Sequence, residues 1–153
     1  MRALWYFLHM AGQVAWLGGA LAAMAVGAAA KREAPAQMGM AARLQGAIYR
    51  GLIGPGALVL VLSGILLTLQ MYNRVTAVGL NRWLMAMQGL GILGGLMVLV
   101  HTVPTSSKLV RLEPSGPTAA AFHGLHQRLK VSAMISSMIG MLGLLTSALY
   151  QTG

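Results

Sequence analysis

Four long apolar stretches, with nearly every charge confined to the gaps between them, constrain this chain more than any other feature. They run over Leu4–Ala30, Ile48–Tyr72, Trp83–Val103 and Val131–Tyr150. An α-helix needs about 20 apolar residues to cross a hydrocarbon core of about 30 Å, and each stretch reaches that length. Inside lipid the backbone must satisfy its own hydrogen bonds, which favours unbroken helices over runs of this kind. The expected fold is therefore all-α, an integral membrane four-helix bundle built as a single domain over residues 1–153. Hydrophobic residues make up 57% of the chain and charged ones 8%, so the spans leave no room for a soluble domain.

The first run, preceded by Arg2 and ending in Ala28-Ala29-Ala30, has the flanks of a signal peptide. It far exceeds the about 7–15 apolar residues of a signal core, so a retained helix is expected. Cysteine is absent, which excludes disulfides, Fe–S clusters and thiolate metal sites. The net charge of +9 would suggest nucleic acid in a soluble protein. Here the basic residues flank helices, where anionic lipid headgroups are the expected partner, and no nucleic-acid motif is present.

Orientation follows from lysine and arginine. An even number of spans puts both termini on one side, with Arg2, Arg74 and Arg82. The opposite side carries Lys31, Arg32, Arg43, Arg50, Lys108, Arg111, Arg128 and Lys130. Eight basic residues against three, together all 11 of the chain, predict cytoplasmic loops over 31–47 and 104–130. Both termini are then outside, an N-out/C-out arrangement in a bacterial-type inner membrane. Within the first loop, residues 37–44 read as a short interfacial helix leading into span two, with Arg43 and Arg50 on one face. The segment from Pro104 to Pro117 is rich in Ser, Pro and Gly and reads as irregular. Pro117 suits the first turn of a helix running through Phe122, His123 and His126 into span four.

Helices in lipid gain little from hydrophobic association, so small residues should mark their contacts. Span one offers Gly12, Gly19, Ala23 and Gly27; span three offers Gly91, Gly94 and Gly95. Span four has Ser132, Ser136, Gly140, Gly143 and Ser147. These stripes read as tight packing, and no Gly-rich turn precedes Lys-Ser or Lys-Thr as a phosphate loop would require.

Polar groups inside the spans are costly and therefore informative. His9 and Gln13 lie one turn apart, and Trp16 continues the same face. Thr68, Gln70, Gln88, Thr146 and Ser147 fall in the same membrane half, where His9 is the titratable member. One reading has His9 and the glutamines hydrogen-bonding across helices to fix bundle register. The other makes His9 an axial ligand to haem b or a copper ligand, with Met10, Met71, Met85 or Met87 as soft partners. A second group, His101, His123 and His126, lies at the opposite rim and is a candidate metal or bis-histidine haem site. Interfacial polar residues among Arg128 and Lys130 are the alternative there.

The run His9-Met10-Ala11-Gly12-Gln13-Val14-Ala15-Trp16-Leu17-Gly18-Gly19 resembles the first helix of the family of copper-resistance protein D domains and HemJ-type protoporphyrinogen oxidases. Tyr49-Arg50-Gly51-Leu52-Ile53-Gly54-Pro55-Gly56, Leu62-Ser63-Gly64-Ile65-Leu66-Leu67 and Asn81-Arg82-Trp83-Leu84 are similar to related four-helix membrane proteins. Met87 stands where HemJ-like proteins carry a lysine. The resemblance implies haem b bound at His9 and electron transfer or porphyrin oxidation, or else copper uptake. Three readings stay open: a haem-b protein with a cofactor region at His9, Gln13, Trp16, Met87 and Gln88; a copper or small-solute transporter; and a non-catalytic subunit packed against other membrane subunits or copies of itself. Both acids, Glu33 and Glu113, fall in loops, which argues against an ion-coupled pump.

Overall fold

The computed structural model describes residues 2–30, 37–78 and 82–152, without the side chains of 71–78 and 151–152. Lys31, Arg32 and Glu33, and the side chains of Met71 and Arg74, lie outside the described residues. Apart from 110–115, the described residues are helical: α1 (Arg2–Ala30), α2 (Gln37–Ile48), a π-helical turn (Tyr49–Ile53), α3 (Gly54–Val78), α4 (Arg82–Leu96), a second π-helical turn (Met97–Thr102), α5 (Val103–Leu109), a 3-10 turn (Gly116–Thr118) and α6 (Ala119–Thr152). Four continuous rods result, and each is long and apolar enough to cross a membrane. The four apolar stretches thus appear as the expected all-α, four-helix membrane bundle.

The rods are longer than the apolar runs, because the chain turns less often than its loops suggest. Residues 37–44 do form a helix, but α2 runs into α3 without a break, through the first π turn. Pro104 likewise does not start an irregular loop. The helix continues through α5 to Leu109, and among the described residues only 110–115 depart from helix. Each π turn ends two residues before a proline, Pro55 or Pro104. Proline lacks an N–H and its ring meets the carbonyl four residues back, so a wider turn relieves the clash without ending the rod. The widened bonds are explicit: the Gly54 N–H donates to Tyr49 O and the Val103 N–H to Val98 O. Gly116 makes the reversal possible with a φ of 72°, a conformation that glycine adopts without steric penalty. Pro117 sits in the first turn beyond it, as expected.

The rods associate as two hairpins of sequential spans, α1 along α3 and α4 along α6, while the α3/α4 and α1/α6 seams are thinner. Glycine explains the tightest approach. A Cβ at Gly12 would lie 2.8 Å from Gly56 O and Leu60 N, and one at Gly56 would lie 2.9 Å from Trp16 N. The α1 and α3 backbones therefore touch directly. Gly56 was not among the expected packing residues, and it makes the closest partner of Gly12. Between the hairpins, Gly94 and Gly140 accommodate the Trp16 ring.

The packed core lies in the loop-bearing half, around Trp16, Ile53, Val98, Leu109 and Phe122, all at most 1% exposed. Leu21, Val100, Met138 and Leu145 are among the many large apolar residues on the outside, a belt suited to lipid. Above Trp16, toward the termini, the two hairpins part.

Candidate functional site

His9 is the polar centre of that parted half. Its Nδ1 lies 3.0 Å from Leu60 O and 3.3 Å from Ser63 Oγ on α3. A carbonyl can only accept, so Nδ1 carries the hydrogen, and in the neutral ring the lone pair is then on Nε2. Ser63 Oγ itself donates back to Val59 O at 2.5 Å. Gly64 lets the ring approach α3, since a Cβ there would lie 3.0 Å from His9 Cε1. A histidine anchored through Nδ1–H to a backbone carbonyl is held in one tautomer and one orientation, the arrangement typical of metal-ligating imidazoles.

Beside His9 lies a cavity of about 330 Å3 lined by all four rods. His9, Gln13, Trp16, Met87 and Gln88, the five residues singled out in sequence, all line it. Met10 lines it too, but Met85 does not and is 53% exposed. The walls are largely apolar, and the ionisable side chains among them are His9, Tyr6 and Tyr150. Lipid-exposed lining residues such as Met10, Ile65 and Ile92 give the cavity lateral openings toward the membrane.

The glutamines act as bridges across the thin seams. Gln13 Nε2 donates to Gly140 O at 3.3 Å, joining α1 to α6. Gln88 Nε2 donates to Thr68 Oγ1, joining α4 to α3. The register-fixing hydrogen bonds expected of these residues are therefore present, and they surround the cavity rather than fill it. Trp16 forms its floor, and among the described residues its buried indole N–H has no hydrogen-bond partner.

Two glycines separate from the packing stripes. A Cβ built on Gly91 or Gly143 meets nothing within 4 Å, although both residues line the cavity. The expected reading of these two as helix contacts is corrected here: they leave room. Sequence spacing could not distinguish them from Gly94 and Gly140, because all four lie on inward faces.

The second histidine group does not converge. His101 and His123 are exposed, and His126 is half-buried with its ring stacked on Phe122 at 6.0 Å between centroids. Among the described residues, no three His, Cys, Asp or Glu side chains are grouped so as to hold a metal ion. The chain matches no family model, no curated protein and no solved structure.

Proposed function

We propose that this protein is a haem-b-binding membrane protein, in which His9 Nε2 would ligate the iron, with electron transfer or porphyrin oxidation as its task. The observation that carries the reading is the His9 geometry: Nδ1 fixed on Leu60 O, Nε2 left as the lone-pair nitrogen, and an apolar cavity beside it. The cavity residues fit such a group. Gly91 and Gly143 keep its walls flat, and the Trp16 N–H offers an unused donor at its floor. Met87, on the opposite hairpin, is a soft candidate for a second ligand. Tyr6 and Tyr150 supply hydroxyls among the lining residues, suited to polar substituents. Bound haem would supply one-electron chemistry at its iron; the protein's part is to orient it and to exclude water. The resemblance of the first helix to HemJ-type and copper-resistance D proteins supports the same assignment, as does the lysine and arginine asymmetry for an N-out/C-out placement.

The test is an absorption spectrum of the protein purified in mild detergent, with metal analysis alongside. Haem b gives a Soret band and reduced α/β bands, and His9→Ala should abolish them. His9 with Met10 and Met87 also forms a soft donor set for Cu(I), so copper in a colourless preparation would favour transport. Neither haem nor copper, with other membrane proteins co-purifying, would overturn both in favour of an accessory subunit.

A further inference from the structure

The loop-bearing half contains a second cavity, of about 230 Å3, between α1, α2 and α6. Met24 and Met134, 43% and 49% exposed, flank it on the lipid side. Its other walls carry Gln45, Tyr49, His126 and Lys130. Gln45 is already engaged, its Nε2 donating to Ala23 O at 2.7 Å and tying α2 to α1. Tyr49 is different. The residue as a whole is only 4% exposed, but its hydroxyl oxygen is not itself buried: it opens onto the cavity, and among the described residues it makes no hydrogen bond. A phenol O–H at the wall of a cavity, held by an otherwise buried ring, is a donor positioned for an acceptor from outside the chain. Lys130 stands at the exposed edge of the same cavity, where the apolar part of α6 begins. An O–H on the cavity wall and a surface ammonium suit an acceptor-rich anion, and basic pockets between spans at headgroup level take lipid phosphates.

We propose that this cavity binds the phosphate of an anionic membrane phospholipid, with Tyr49 and Lys130 donating to the phosphate oxygens and Met24 and Met134 beside the acyl chain. The exposed methionines decide for a lipid over a soluble phosphate, because the cavity is reached along an apolar surface. The site is independent of His9 and of any haem.

The test uses the whole chain reconstituted in phosphatidylcholine vesicles, with spin-labelled phosphatidylglycerol or spin-labelled phosphatidylcholine as the minor component. Electron paramagnetic resonance reports the motionally restricted fraction of each. The wild type should restrict phosphatidylglycerol preferentially. Lys130→Gln should lower that preference about fivefold, the factor corresponding to about 1 kcal/mol for one headgroup-level cation. Tyr49→Phe should lower it without changing charge, and it removes no internal hydrogen bond. Lys108→Gln, an exposed cation outside the cavity, should leave the preference within error of wild type. Equal restriction of the two lipids by wild type, or equal losses in Lys108→Gln and Lys130→Gln, would overturn the proposal. So would displacement of the labelled lipid by inorganic phosphate at constant ionic strength, which would assign the site to a soluble anion. Lys130 is exposed, so its variant tests the site even where Tyr49→Phe fails to fold.

Discussion

At the scale of single residues, the parted half is built from polar side chains whose partners are backbone atoms as often as side chains. That is why part of the site was legible in sequence and part was not. His9, Gln13 and Trp16 announce a shared face by helical spacing alone, and their depth in an apolar run makes them conspicuous. Leu60 O and Gly140 O carry no sequence signal, since every residue has a carbonyl; only the fold shows which ones are used. The seam-crossing glutamines should each contribute modestly. Gln13→Leu and Gln88→Leu are expected to cost about 0.6 kcal/mol apiece, the usual scale of an interhelical hydrogen bond in lipid, read from unfolding in mixed micelles. Trp16 separates size from polarity. Trp16→Ala should cost about 3–5 kcal/mol by opening a void at the centre of the core. Trp16→Phe should cost far less, because it loses volume but also removes a buried donor without a partner, itself a cost of about 1–3 kcal/mol. Both are measurable on the same unfolding curves.

At the scale of helices, hydropathy placed the four spans, yet it understated the rods by six residues or more at four of their ends. The missing lengths are amphipathic or proline-containing, and they stay helical because packing and π turns absorb what the sequence presents as breaks. Glycine was likewise legible as a class but not by role. Gly12 and Gly56 permit backbone contact between α1 and α3, whereas Gly91 and Gly143 keep space open. Substitution should divide them. Gly12→Leu and Gly56→Leu should break the first hairpin and abolish stable, monodisperse protein in size-exclusion chromatography. Gly91→Leu and Gly143→Leu should leave helicity and elution unchanged. They should nevertheless lower haem content, read from the Soret absorbance, by filling the cavity from its walls.

At the scale of the molecule, the absence of cysteine makes orientation simple to measure. Ala3→Cys should react with an impermeant maleimide added outside cells, and Ser115→Cys should react only after permeabilisation; the reverse pattern would invert the proposed topology. The division into two hairpins has a further consequence, which concerns the order of events during synthesis. Each hairpin joins neighbours in sequence, so α1 and α3 can pack before α4 has left the ribosome. Such local contacts form quickly, whereas the thin seams can close only when the second hairpin arrives. The cavity beside His9 has walls from both, so it comes into being only at that last docking step. Fragments 1–78 and 79–153, produced as separate chains, should then each insert alone and regain a shared site when co-expressed. The latest part of the protein to form would be the part that holds a ligand, and a ligand present at that moment would favour the closing of the seams.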